Sequence, residues 1–357
     1  MQPRHSRRQR NAPTINDVAA HAGVSPMTVS RVINGEQVVR AATKAKVDAA
    51  IKALAYSPSA AARSLAGGDE TRIGLLYSNP SASYLSEFLV GSLDQASRAG
   101  VDLVVEKWDE ATSVKSVVDH LVRGRINGVI LPPPLCDLDA MTDALAAAGI
   151  PAVAVATSRA SSVLAAVSID DRQAAYAMTR HLIGLGHTHI GFIKGNPNLR
   201  ASEGRYEGYL AALSDSGIAR DDALVAQGYF TYRSGLDAAE QILALPDPPT
   251  AIFASNDDMA AATVAIAHRN GLDVPSDLTV CGFDDTSLAT TIWPELTTIR
   301  QPISAMARAA VETLVRQIKG RRDKSVEDAA HVMLDYELIR RQSDAAPRIT
   351  PKHEARQ

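Results

Sequence analysis

An all-α helix-turn-helix head followed by an α/β core of two doubly wound parallel-sheet lobes is the fold class that three features of the sequence predict. Three short amphipathic stretches with their own helix caps fill residues 14–56. From Arg72 onward, short β-rich runs alternate with helical segments, and that alternation begins a second time beyond residue 167. The charge also changes sign along the chain. Residues 1–67 carry ten Lys and Arg against three acids, or +7, which leaves −10 on the rest of a chain whose net charge is −3. A basic head on an acidic body suits a small module that meets a polyanion, although basic tails are also common as solvated ends.

In the head, Thr14 N-caps the first helix with Asp17 three residues on, a carboxylate variant of the capping box, and Val18 and Ala22 share its inner face. Gly23 ends it. Ser25 caps the second helix with Pro26 at its first position, where a missing N–H costs nothing, and Val29, Val32 and Ile33 give the apolar stripe. Asn34-Gly35 closes it. Val47, Ile51 and Leu54 recur at i, i+4, i+7 in a third helix, so three stripes can meet in one small core. Two helices about a tight turn make a helix-turn-helix.

Thr14-Ile15-Asn16-Asp17-Val18-Ala19 and the run Ala22-Gly23-Val24-Ser25-Pro26-Met27-Thr28-Val29-Ser30-Arg31-Val32-Ile33-Asn34 closely resemble the head of the LacI/GalR family of bacterial repressors. One departure is Arg40, where that family has a small capping residue before the third helix, so this helix is expected to lack its cap at a modest cost in stability. Tyr56 to Gly68 is an alanine-rich stretch started by Ser57-Pro58 and stopped by glycines, too short to be a stable helix alone. Composition leaves it open as a bare linker. By resemblance it is the family's hinge helix, which orders when two subunits press it into the minor groove of an operator.

In the core, Ile73 to Tyr77, Val101 to Glu106, Gly128 to Leu131 and Ala152 to Val155 are the strands of a first series. Ile190 to Ile193, Ala251 to Ala254 and Leu278 to Phe283 belong to a second, with helices such as Asp258 to Asn270 between them. Alternating βα units with continuous apolar strands imply parallel sheets covered on both faces. The resemblance extends over this region and implies the fold of periplasmic sugar-binding proteins, in which the chain crosses between lobes three times. Residues near Pro302 to Gly320 then return to the first lobe, and a last strand, Val332 to Leu338, goes to the second. The expected division is a basic tail at 1–13, a DNA-binding domain at 14–56, a hinge at 57–68, an effector-binding core at 69–342 and a flexible tail at 343–357. Lobe 1 takes about 72–166 and 302–329, and lobe 2 about 167–299 and 330–342.

The second helix of a helix-turn-helix brings its N-terminal residues to base edges in the major groove. Here those residues are Ser25, Pro26, Met27, Thr28 and Arg31. Thr28 and Ser30 can bond phosphate or bases, Arg31 can fork onto guanine, and Met27 can lie against a thymine methyl; plain helix surface is the alternative for Thr28 and Ser30. Thr14 and Asn34 complete the expected surface. In the family, the hinge leucine matching Leu65 wedges into the operator's central step beside the position of Ala62, and a buried leucine between head and body is the alternative. A hinge too weak to order alone requires two held side by side, hence a homodimer and a roughly palindromic site.

Ligands of parallel α/β lobes bind outside the carboxyl ends of strands, and the cleft between two lobes is the default site. Asn256 directly follows Ala251–Ala254, and Asp284 directly follows Val280–Phe283. Either could instead cap the next helix. Arg205 offers a fork of donors, or simply pairs with Glu203, and Phe230 or Tyr229 could stack on a sugar ring. Matching the family's ligand motifs position by position puts Arg205, Phe230, Asn256 and Asp284 in the cleft with Tyr84 opposite, and makes Asp257 and Asp285 structural. Gly204 stands where the family commonly has Glu, which bears on the local geometry before Arg205.

The longest uncharged apolar stretch, Ala144 to Ser158, is broken by Gly149 and Pro151 and is too short to span a membrane. No apolar segment follows the arginines of the N-terminus, so a cytoplasmic protein is expected. Cys136 and Cys281 lie far apart, as inert buried thiols would. His187 and His189 alternate into a strand with no third ligand nearby, and no P-loop or nucleophile elbow occurs. The expectation is a cofactor-free, homodimeric transcriptional repressor that binds operator DNA under control of a small effector, a sugar by resemblance. Its rivals are a sugar-binding or sugar-processing protein with an incidental basic head, a corepressor-type regulator answering to a purine or other metabolite, and an architectural DNA-binding protein.

Overall fold

The computed structural model describes residues 13–33, 39–56, 71–78, 81–109, 111–157, 164–322 and 330–348. They divide between two compact units, Met1–Glu70 and Thr71–Gln357. The first holds α1 (Ile15–Ala22), α2 (Pro26–Ile33) and α3 (Ala41–Ala53). Thr14 accepts the Asp17 N–H, and Asp17 in return accepts the Thr14 N–H at 2.8 Å, a complete capping box. Gly23 takes φ 66 to turn the chain out of α1, a left-handed conformation that costs glycine nothing. Val18, Ala19, Val29, Val32, Val47, Ala50 and Tyr56 form the core of this unit. Arg40, before α3, makes no side-chain cap bond.

In the second unit, β1 (Arg72–Tyr77), β2 (Asp102–Lys107), β3 (Gly128–Leu131), β4 (Ala152–Val155), β5 (Ala165–Ser168) and β11 (His331–Met333) build one sheet in the order β11-β5-β4-β3-β1-β2, parallel throughout. The other sheet has the order β12-β10-β9-β8-β6-β7. It comprises β6 (Ile190–Lys194), β7 (Val225–Gln227), β8 (Ala251–Ala254), β9 (Thr279–Asp284), β10 (Thr297–Arg300) and β12 (Glu337–Ile339), the last antiparallel to β10. The helices are α4 (Ala82–Ala99), α5 (Val114–Arg123) and α6 (Asp139–Ala147) in lobe 1. Lobe 2 has α7 (Asp171–Gly184), α8 (Arg200–Asp215), α9 (Tyr232–Leu243), α10 (Asp257–Arg269) and α11 (Ser287–Thr291), and α12 (Ile303–Arg322) returns to pack on β3, β4, β5 and α4.

Each strand sends alternate residues to opposite faces, and the packing follows. Ile73, Leu75, Phe192, Phe253 and Phe283 join one core cluster, whereas Leu76 lies in another and Ile193, Ile252 and Val280 in a third. Strands buried on both sides are therefore apolar without a break.

Two expectations are corrected. The run Val332 to Leu338 is not one strand of the second lobe: β11 pairs with β5 in the first sheet, and after a break β12 pairs with β10 in the second. Partial burial alternates through 331–338 without interruption, so the pattern carries no mark of the change of sheet. Nor are residues 343–348 a free tail. Ser343 is fully buried, accepts the Thr297 N–H at 2.8 Å and donates to the Val280 carbonyl at 2.5 Å. Asp344 bonds Thr297 and His181, and the Ala345 carbonyl bonds His187.

Candidate functional site

In the first unit, Thr28 donates its N–H to Ser25 Oγ at 3.2 Å, and the two hydroxyls lie 2.9 Å apart. Ser25 thus caps α2 and positions Thr28 together. Pro26, Met27 and Arg31 are exposed, Met27 by 63%, while Val29 and Val32 on the opposite face are buried. An exposed methionine at the start of α2 has no core to serve and is free to meet another surface. Ser30 is half-buried. Asn34, Ala62 and Leu65 fall outside the described residues.

In the second unit, Tyr84, Arg205, Phe230, Asn256 and Asp284 all line one cleft between the two sheets, with Ser81, Pro133, Pro134, Leu199, Tyr229 and Gln301 among its other walls. Its empty volume, open mouth included, is about 530 Å³. Tyr84 comes from the first turn of α4, Arg205 from α8, Phe230 from the turn between β7 and α9, and Asn256 and Asp284 from the ends of β8 and β9.

Arg205 is 4% exposed and organises the floor. Its Nε donates to Asp171 at 2.8 Å, its Nη1 donates to the Ser255 carbonyl at 2.6 Å and lies 3.7 Å from Asp284, and its plane sits 3.6 Å over the Phe283 ring. Glu203, exposed, is not its partner. Gly204 lies within α8, so the helix runs unbroken past the position where the family has Glu. Asn256 both caps and lines: its Oδ1 accepts the Met259 N–H at 3.0 Å, and its amide donates to the Phe230 carbonyl at 3.1 Å. Asp257 accepts from Thr286 and Thr298, and Asp285 pairs with Arg300 and Arg341, so both hold lobe 2 together.

Burial pushes the Asp284 carboxyl up to about 7, against the pull of the Arg205 charge and of a 2.5 Å bond from Gln301 Nε2. Asp171 is raised for the same reason, and the Tyr84 hydroxyl is raised well above its ordinary value. The Tyr84 hydroxyl and Gln301 Oε1 are buried in the cleft wall without a protein hydrogen-bond partner. Such groups are costly unless something else bonds them. Phe230, Asp284 and Asp285 have φ of 61, 114 and 57, left-handed values that non-glycine residues hold at a cost.

Gln301 and Asp171 escape sequence reasoning. Gln301 obeys the strand-end rule, but β10, a four-residue run of Thr297–Arg300, carries too weak a pattern to mark its end. Asp171 lies 34 residues from Arg205, and only the packing of α7 on α8 joins them. His187 bonds Thr250 and the Ala345 carbonyl, and His189 bonds the Asp247 carbonyl. Among the described residues no helix is long and apolar enough to cross a membrane.

A family model described as bacterial regulatory proteins, lacI family, matches residues 14–59, and one described as a periplasmic binding protein-like domain matches residues 179–343. The chain is 36% identical over 339 residues to the HTH-type transcriptional repressor PurR of Pectobacterium carotovorum subsp. carotovorum, covering 93% of this chain and 97% of that protein. The lac repressor dimer bound to operator and the anti-inducer ONPF superposes with a TM-score of 0.77 at 29% identity, over 94% of this chain and 100% of that one. The transcriptional regulator CelR in complex with cellobiose gives 0.71 at 30% identity, over 93% and 99%.

Proposed function

The chain belongs to the LacI family of bacterial regulatory proteins, and on that footing we propose that it is a homodimeric, cytoplasmic repressor whose grip on a roughly palindromic operator is set by a saccharide bound between the lobes. No enzymatic step is part of this function. The observation that carries the reading is the convergence of Tyr84, Arg205, Phe230, Asn256 and Asp284 on one cleft whose wall buries an unpartnered Tyr84 hydroxyl. A polyhydroxylated ring supplies what that wall lacks: hydroxyls that donate to Asp284 and accept from Arg205 and Tyr84, and an apolar face for Phe230. The similarity to a regulator solved with cellobiose supports the same ligand class.

At the other end of the chain, Thr14, Ser25, Pro26, Met27, Thr28, Ser30, Arg31 and Asn34 address the major groove, while Ala62 and Leu65 address the minor groove. Ligand and operator are coupled reciprocally, so a saccharide that weakens operator binding is itself weakened by the operator to the same factor.

The test uses full-length protein. Cellobiose, other neutral saccharides and purine bases are titrated while operator binding is followed by fluorescence anisotropy, at fixed salt and against random DNA. The expected result is preference for operator and a change in its affinity with a saccharide. A response to purines alone assigns the cleft to the metabolite alternative; turnover of a sugar, or equal affinity for random DNA, overturns the proposal. Leu65→Ser weakens operator binding at least tenfold if the hinge acts as a wedge.

A further inference from the structure

Among the described residues, carboxylates at two places along the cleft reach from one lobe to the other, alongside that of Glu87 on α4, which accepts the Ser287 backbone N–H. Asp137, which follows β3 in lobe 1, accepts the Arg200 backbone N–H at 3.0 Å through one oxygen and the Thr157 hydroxyl at 2.6 Å through the other. Arg200 is the first residue of α8 in lobe 2, and Leu199 before it makes no side-chain cap. First-turn N–H groups need an acceptor from outside their helix, and here lobe 1 supplies it. At the second place, Asp258 in the first turn of α10 accepts the Ser81 hydroxyl at 2.6 Å. Ser81 in turn is the N-cap of α4, taking the Tyr84 N–H at 3.4 Å.

Ser81, Tyr84, Leu199 and Ala201 line the cleft, so both contacts border the space a ligand fills. Separation of the lobes breaks both. On opening, the carboxylates and the Arg200 N–H pass to water, which keeps the net worth of each bond small and closure reversible. We infer that Asp137 and Asp258 are positioning residues that hold the cleft shut, each through a hydrogen bond from the facing lobe, and that they set the fraction of chains in the closed form. The closing role stands on the geometry of these two contacts, whereas its effect on the operator rests on the proposed function.

The experiment places spin labels at Asp143→Cys on α6 and Arg233→Cys on α9, both exposed, in full-length protein; the native Cys136 and Cys281 are buried and stay unlabelled. Labelled chain is diluted with unlabelled chain so that each dimer carries one labelled pair. The interlobe distance is read by pulsed electron resonance. Asp137→Ala is expected to move at least a third of the molecules to a longer distance. Asp137→Asn keeps a carbonyl oxygen for the Arg200 N–H and is expected to stay near the parent. Ser81→Ala removes the other contact, and it provides the reading if Asp137→Ala does not fold. Distances unchanged in Asp137→Ala and Ser81→Ala, or Asp137→Asn as open as Asp137→Ala, overturn the inference. Distances that lengthen while operator affinity stays constant uphold the closing role and overturn the coupling in the proposed function.

Discussion

A Cβ on Gly195 would lie 1.9 Å from Cζ of Phe230, so the aromatic ring packs on bare backbone just beyond β6. Gly195→Ala must therefore displace the ring. Because the clash is with the far end of one side chain, the chain is expected to fold with a melting temperature near the parent's, while saccharide affinity falls at least tenfold. Calorimetric titration beside thermal unfolding measures both, and unaltered affinity would remove Phe230 from the binding surface.

Asp284 carries the pH dependence. Burial raises it from 3.8 to about 7, so between those values the folded chain holds more protons than the unfolded one. Its contribution to stability is full below the unfolded value and is lost as pH rises through about 7. Saccharide binding runs the other way. A hydroxyl that donates to Asp284 favours the ionised form, so affinity is expected to rise between pH 6 and 8, by at most about tenfold per unit, and the ligand to expel a proton. Asp284→Asn should flatten that profile. Calorimetry in buffers of different ionisation heat gives the proton count, and a slope that survives in the variant would sink the assignment.

Arg40 leaves the N-terminus of α3 without a side-chain cap. Arg40→Ser is expected to stabilise the helix-turn-helix unit by about 0.5–1 kcal/mol, the usual worth of a cap. Amide exchange in the first turn of α3, measured on the whole protein, should slow several-fold; no slowing would mean that other groups already satisfy those N–H donors.

Ser343 and Asp344 tie the chain beyond β12 to β9, β10 and α7. Ending the chain at Gln342 removes these hydrogen bonds and leaves the backbone groups of Val280 and Thr297 to water. A loss of about 2–6 kcal/mol is expected for the four bonds at 0.5–1.5 kcal/mol each, visible as a lower denaturant midpoint. A midpoint equal to that of the full chain would return 343–348 to the status of a loose end.

Local signals in the sequence locate the head helices well. Thr14 with Asp17, Ser25 with Pro26, and Gly23 act over three or four residues, and such contacts form wherever the rest of the chain lies. The same holds for the uncapped Arg40. Central strands cannot hide either, as Gly128–Leu131 and Ala251–Ala254 show: a strand buried on both faces must be apolar at every position. Weakly patterned edges are different. β7 and β12 are three residues each, and their existence depends on the neighbour that offers hydrogen bonds.

Asn256 and Asp284 show how far the strand-end rule reaches, since it selects both without knowing which lobe will face them. It does not say that Asn256 caps and lines at once, or that Gln301 bonds Asp284. Arg205 shows where the rule stops. Nearby Glu203 offered a partner by sequence distance, but α8 turns it to solvent and brings Arg205 against Asp171.

Caps, apolar periodicity and charge asymmetry, then, determined by themselves that a basic three-helix head precedes a two-lobed α/β body, because those effects act within a few residues of the chain. The tertiary structure alone decided which carboxylate neutralises Arg205, where the chain changes sheet between Met333 and Glu337, and that Asp137 caps a helix of the opposite lobe. Each of those choices is a hydrogen bond between groups tens of residues apart, and the energy of such a bond depends on distance and burial, which no local pattern encodes.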